Sequence, residues 1–345
     1  MDSPIFISGL RKSGTSMIKG LLDGHPELFV YPPNEVHLFR YSHHDALVKD
    51  KLDREDDPEV LKSLLADQDF ITRLNDEDFH YYTEKVDVDV FEAELASTDV
   101  DSYPDVYEAL YQSMATASSH FDGDPDDARY VSKSVLETEF FPELLEWYPD
   151  VKFVCVLRNP YGHFNAARNS IRADRSRKSS PDFHPIKHPY PFIGSEIRRM
   201  KGSYYFMEKY QDLYPDNFYV CVFDDVLEDP EGEMRDLADF LDVEFEDSML
   251  RPTICGDLWG GNSMHADEFE GISKEPLYHW KEHIGDLEIR MMNEFFEDTI
   301  RDYGFEYLET DASMLQRMHP SEWNPATYAA NRLILKWGID SADTF

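Results

Sequence analysis

Hydrophobic positions gather along this chain in three short, unbroken runs at 5–8, 151–157 and 218–223. Apolar runs of this length, without alternation, suit strands buried on both faces of a parallel sheet. Each run leads into a helical pattern: 14–23 after the first, 161–171 after the second and 231–241 after the third. A further helix over 138–148 feeds the second run through Tyr148-Pro149-Asp150. Repeated strand-then-helix order predicts an α/β fold, an open parallel sheet flanked by helices with ligands at the carboxyl ends of its strands.

Two stretches break this rhythm. Residues 42–128 are acidic, with helical patterns at 58–66 and 103–119 and no apolar run of similar strength. They are expected to form a helical insertion covering one end of the sheet. An amphipathic helix is expected over 285–303. Residues 1–310 are read as one domain, and residues 311–345 are expected to form a helical tail packed on it. No internal repeat or low-complexity segment interrupts this order.

With 345 residues, 41% hydrophobic and 14% aromatic, the chain has enough apolar surface for a sizeable core. Its 33 Lys and Arg against 70 Asp and Glu give a net charge of −37, which argues against a general nucleic-acid or anionic-membrane surface. No apolar stretch approaches the roughly 18 residues of a membrane span, and no charged-then-apolar leader opens the chain. A cytoplasmic location is the expectation. With 40 Asp and only 15 Lys, the composition resembles that of proteins from salt-in halophiles. At about 1 M salt the screening length falls to roughly 3 Å, and such self-repulsion is largely removed. An ordinary acidic enzyme is the alternative. Cys155, Cys221 and Cys255 make neither a disulfide framework nor a zinc pattern. The first two lie inside apolar runs and read as buried thiols, and no metal is expected.

The first run passes directly into Gly9-Leu10-Arg11-Lys12-Ser13-Gly14-Thr15-Ser16 and then a helix. Strand, glycine-bearing turn and helix N-terminus together suit an anion, because free amides and the helix dipole converge there. Gly9 and Gly14 have the spacing of the nucleotide P-loop G-x-x-x-x-G-K-[ST], yet Gly14 is followed by Thr15 and the lysine sits inside the loop at Lys12. Between Arg158 and Lys201 lie ten basic and three acidic residues, a local +7 inside a protein of −37. A polyanionic ligand accounts for that reversal better than a solvated face does.

Arg11-Lys12-Ser13-Gly14-Thr15-Ser16 resembles the K-[ST]-G-T-[TS] loop of sulfotransferases that use PAPS (3′-phosphoadenylyl sulfate). Further segments resemble the same family in the same order. These are His25-Pro26-Glu27-Leu28, the strand and turn Phe153 to Pro160 with its Arg158-Asn159-Pro160, and Trp259-Gly260-Gly261-Asn262-Ser263. Gly271-Ile272-Ser273, Tyr278-His279-Trp280-Lys281 and a Gly304-Phe305-Glu306 ending complete the set. The resemblance spans about residues 4–308, with the acidic insertion unmatched. It implies that Arg11, Lys12, Ser13, Gly14, Thr15 and Ser16 hold the 5′-phosphosulfate, with the backbone amides of 13–16 as donors. It also implies that Arg158 grips the 3′-phosphate and that Trp280 belongs to the nucleotide-covering segment. The family's serine eight residues after that arginine is Ala166 here; Asn165, Asn169 and Ser170 are the candidates to replace it, and Ser170 is retained as a binding residue.

Asn34-Glu35-Val36-His37-Leu38-Phe39 resembles the N-E-V-H-F-F segment of the heparan-sulfate glucosaminyl 3-O-sulfotransferases, where the glutamate is the general base. An alcohol needs such a group to lose its proton as it attacks. Glu35 is therefore the expected base and His37 a second catalytic contact. The small-molecule sulfotransferases place a histidine in a K-T-H segment instead; here that stretch is Lys133-Ser134-Val135. The resemblance thus implies sulfonate transfer from PAPS to a hydroxyl of a carbohydrate, on a glycan or glycolipid, without a metal. A P-loop kinase using ATP and Mg²⁺, and a non-catalytic nucleotide- or glycan-binding module, are the alternatives.

Overall fold

The computed structural model describes residues 3–32, 62, 85–134 except 122 and 126, 141–177, 190–261 and 271–310, with backbone alone at 134, 171–177 and 190–195. In chain order its elements are β1 (Ile5–Ser8), α1 (Thr15–Leu22), β2 (Leu28–Val30), α2 (Val88–Ser97), α3 (Tyr103–Ala117), β3 (Arg129–Ser134), α4 (Phe141–Trp147) and β4 (Lys152–Leu157). They continue with α5 (Pro160–Arg177), α6 (Tyr190–Leu213), β5 (Phe218–Val222), α7 (Phe223–Glu228), α8 (Pro230–Leu241), β6 (Thr253–Ile254), β7 (Asp257–Leu258) and α9 (Asp286–Asp302).

Five strands form a parallel sheet in the order β2-β3-β1-β4-β5. β1 lies in the middle, between β3 and β4, so the loop that leaves it opens between neighbouring strand ends. Such a position in an open α/β sheet is a ligand crevice. Register aligns Phe6, Phe153 and Phe218 across β1, β4 and β5. Their rings stack with centroids 5.8 and 4.5 Å apart, and Phe141 of α4 packs on the last pair at 4.7 and 4.8 Å. These aromatic rows supply contact beyond their buried area.

The three apolar runs are the strands β1, β4 and β5, although Phe223 begins a helix rather than ending the third strand. The described part of 42–128 departs from expectation. Tyr107, Tyr111 and Met114 of α3 are buried in the same core cluster as Phe6 and Phe153, with Tyr107 6.1 Å from Phe6. This helix is a layer on the sheet face, not a cover at its end. Residues 58–66 lie outside the described residues apart from Lys62, as do 311–345.

Contacts divide the chain into two compact units. The first comprises Met1–Leu157, Met207–Ser263 and Asp267–Ser273 and carries the sheet. The second comprises Arg158–Phe206, Met264–Ala266 and Lys274–Phe345. None of the described helices is long and apolar enough to cross a membrane.

Candidate functional site

In the first unit the loop between β1 and α1 is tightly constrained. Ser13 N–H donates to the Leu10 carbonyl at 3.0 Å and closes a turn with Lys12 at its third position. Lys12 has φ +72°, as a type II turn requires there, a place usually taken by glycine. A non-glycine residue in this region costs on the order of 1–3 kcal/mol, and such strain gathers at ligand clamps. The two glycines are required by space. A Cβ at Gly9 would lie 2.8 Å from Ser13 Oγ and 2.9 Å from the Val156 carbonyl. At Gly14, with φ +113°, it would enter the ring of Phe223.

Helix α1 then starts at Thr15, whose preceding Gly14 carbonyl accepts from Met17 N–H at 2.9 Å. The amides of Thr15 and Ser16 stand in the first turn, where a helix offers no internal acceptor. Of the four amides expected to face an anion, Ser13's is committed inside the turn. Ser13 Oγ is buried and has no partner among the described residues. Arg11 is exposed and Lys12 half-buried.

The far end of α1 holds two neighbouring segments, which the sequence pattern did not disclose. Lys19 is buried and donates from Nζ to the Pro32 carbonyl at 2.7 Å. Asp23 accepts from Thr253 Oγ1 at 2.7 Å and Gly256 N–H at 2.9 Å, fixing the β6–β7 hairpin. Ser16, Lys19, Asp23, Pro32, Thr253 and Cys255 line a small cleft. Burial pushes the Cys255 thiol up to about 12, so it stays protonated there. Glu35 and His37 lie outside the described residues. Lys133 is buried at the penultimate position of β3, paired in register with Ile7.

The His25-Pro26-Glu27-Leu28 segment proves architectural. His25 Nδ1 accepts from Glu27 N–H at 3.2 Å, which leaves Nε2–H to donate to the Glu244 carbonyl at 2.9 Å.

In the second unit, Arg158-Asn159-Pro160 forms the entry to α5. Asn159 Oδ1 accepts from Tyr161 N–H at 3.0 Å as the helix cap, and Pro160 takes the first helical position. The Arg158 guanidinium donates to the Pro276 carbonyl at 3.3 Å. Gly162 makes room for this packing, since a Cβ there would sit 3.1 Å from Trp280 Nε1 and 3.5 Å from Arg158 Nε. Trp280 stacks on Tyr161 with centroids 5.6 Å apart. The Tyr161 hydroxyl bonds Asn293 Oδ1, and burial raises its pKa to about 12.

Asn165, Ala166, Asn169 and Ser170 follow Gly162 at helical spacings that bring them to the same side of α5. Asn169 Nδ2 donates to Asn165 Oδ1 at 3.1 Å. Asn165 Nδ2, Ser170 Oγ and Trp280 Nε1 are all buried with no hydrogen-bond partner among the described residues. Buried donors are normally satisfied, so three on neighbouring elements are consistent with an anionic or polar ligand. Arg168, by contrast, is committed to Glu288 and to the His283 carbonyl.

A family model described as "Sulfotransferase family" matches residues 4–247. The chain belongs to the sulfotransferase family. Among solved structures, the sulfotransferase domain from the curacin biosynthetic pathway aligns at TM-score 0.52 and 18% identity, covering 89% of this chain and 99% of that one. It shows that the sulfotransferase fold is shared. The sulfotransferase domain of the Synechococcus PCC 7002 olefin synthase aligns at TM-score 0.49 and 17% identity, over 86% and 96% of the two chains. A sulfotransferase from Alicyclobacillus acidocaldarius aligns at 0.38 and 20%, over 72% and 88%. No curated protein matches this sequence.

Proposed function

We propose that this sulfotransferase-family chain moves SO₃ from PAPS to a hydroxyl group of a carbohydrate and releases adenosine 3′,5′-bisphosphate. The observation that carries this reading is Lys12, held at φ +72° inside the loop between β1 and α1 instead of following Gly14. From there its ammonium would neutralise charge on the bridging oxygen as the S–O bond to the nucleotide breaks, a preorganised electrostatic contribution. The amides of Thr15 and Ser16, with the α1 dipole, suit the 5′-phosphosulfate. Arg11 and the Ser13 hydroxyl are further candidates there, and Gly14 keeps the backbone close.

Arg158 is the proposed ligand of the 3′-phosphate. With Ala166 in place of the family serine, the buried donors Asn165 Nδ2 and Ser170 Oγ, without a partner among the described residues, are the candidates to replace it, with Trp280 Nε1 as a third donor. Glu35 is the proposed base that takes the acceptor's proton, and His37 its companion. The carbohydrate acceptor rests on the N-E-V-H-L-F resemblance. The halophilic origin stands as a proposal resting on the chain's composition, and the cytoplasmic location as a further proposal.

The test is a competition among nucleotides followed by turnover. Adenosine 3′,5′-bisphosphate should displace a fluorescent nucleotide far better than ATP with Mg²⁺ does, and labelled sulfonate from PAPS should pass to a panel of glycans and glycolipids. Tight ATP binding with phosphoryl transfer would replace this reading with a kinase. Binding of the bisphosphate without transfer to any acceptor would reduce the chain to a binding module.

A further inference from the structure

Within the second unit, the Arg158 peptide is tied to a buried hydrogen-bonded pair that the reading above does not use. Tyr204 of α6 donates its hydroxyl proton to the Arg158 carbonyl at 2.8 Å. The same oxygen lies 2.8 Å from Nδ1 of His163 on α5. A phenol has one proton to give, so Tyr204 accepts at its other contact and His163 Nδ1 carries the hydrogen. His163 is wholly buried and Tyr204 nearly so. Tyr204 packs edge-on against Phe296 of α9 with centroids 5.8 Å apart, which restricts the ring that aims the hydroxyl. His163 also donates its backbone N–H to the Asn159 carbonyl at 2.8 Å, so one residue holds the turn through both backbone and side chain.

We propose that His163, acting through Tyr204, is a positioning residue that sets the Arg158 peptide and so aims its guanidinium at a phosphate ester. The physical reason is economy of freedom. Asn159 caps the helix and Pro160 fixes its own φ, leaving the peptide between Arg158 and Asn159 as the link whose plane must be held. A buried imidazole–phenol pair of defined direction does that. A phenylalanine at 204 would fill the same volume and remove this hydrogen bond to the Arg158 carbonyl. The inference rests on the proposed role of Arg158 as the 3′-phosphate ligand.

The experiment compares affinity for adenosine 3′,5′-bisphosphate with affinity for adenosine 5′-monophosphate, by calorimetry on the full chain. The ratio isolates the 3′-phosphate from general binding and from foldedness. In Tyr204→Phe the ratio should fall about tenfold, the order expected when one buried hydrogen bond is removed, with adenosine 5′-monophosphate affinity retained. His163→Asn, whose amide can stand where Nδ1 stood, should keep more of the ratio than His163→Leu. An unchanged ratio in Tyr204→Phe, or an equal loss for both nucleotides, overturns the inference and leaves the pair a packing feature. A wild-type chain indifferent to the 3′-phosphate overturns the donor assignment as well, which separates the two failures.

Discussion

The α-carbon of Gly14 stands so close to the ring of Phe223 that no side chain fits between them. One residue belongs to the loop between β1 and α1 and the other to the first turn of α7, immediately after β5. The loop is therefore shaped by a distant part of the sequence as well as by its own glycines. Gly14→Ala should destabilise the protein by roughly 1–3 kcal/mol from backbone strain alone, with the clash added. Phe223→Ala in the same chain should recover only the clash, leaving the φ cost. Denaturant unfolding of the two single variants and the double variant measures the split; strictly additive losses would deny the contact.

Lys12 carries a different balance. Glycine at this φ relieves strain, so Lys12→Gly should unfold at a higher denaturant concentration than Lys12→Ala. Both should lose about 10²–10³ in kcat, the usual loss when one preorganised donor to the developing charge is removed, while the nucleotide product still binds. Retained turnover in either variant would remove Lys12 from the chemistry.

Glu35→Gln keeps shape and hydrogen-bonding capacity but cannot take a proton. Its turnover should fall by roughly 10²–10⁴, the range for general-base catalysis, with affinity for adenosine 3′,5′-bisphosphate nearly unchanged. His37→Ala should fall between wild type and Glu35→Gln. The reverse ranking would give the base role to His37, and full activity in both would move the search to Lys133.

Salt should stabilise the fold. With 70 acidic and 33 basic residues, raising KCl from about 0.1 M to about 1 M shortens the screening length from roughly 10 to roughly 3 Å. Tm should climb across that range. A flat or falling Tm would remove the support for a halophilic origin.

His120 offers a pH test. Burial lowers its pKa below the ordinary histidine value, Asp23 opposing, and its ring packs near Phe29 with centroids 6.0 Å apart. Because the folded pKa is depressed, the unfolded chain binds more protons, and stability is lost as pH falls below about 6.5. His120→Gln removes this proton uptake. Its Tm relative to wild type should therefore rise as pH is lowered from 7.5 to 5.5, by differential scanning fluorimetry in constant salt. A pH-independent difference would mean the imidazole does not titrate with unfolding.

The strands β1, β4 and β5 were legible in the sequence because each is a largely apolar run, buried almost throughout in β1 and β4 and in part in the edge strand β5. β2 and β3 were not. Leu28–Val30 is too short to carry a pattern, and Arg129–Ser134 has polar residues at four of its six positions, so it makes no apolar run. The loop at Gly9–Ser16 was equally legible, since glycine spacing and an adjacent helix are local facts. That Lys12 occupies a left-handed conformation, or that Phe223 forbids a side chain at Gly14, follows from backbone geometry and long-range packing that no local pattern encodes. The same holds for Lys19, Asp23, His163 and Tyr204. A buried lysine, aspartate or histidine resembles any surface residue until the fold brings a carbonyl or hydroxyl from elsewhere in the chain to meet it. The sequence by itself determined the class of sheet, the glycine-bearing loop between its first strand and first helix, and the basic stretch around Arg158. Only the tertiary structure decided which polar groups are held, because hydrogen bonds between residues as distant as Asp23 and Gly256 come into being only once the core has closed.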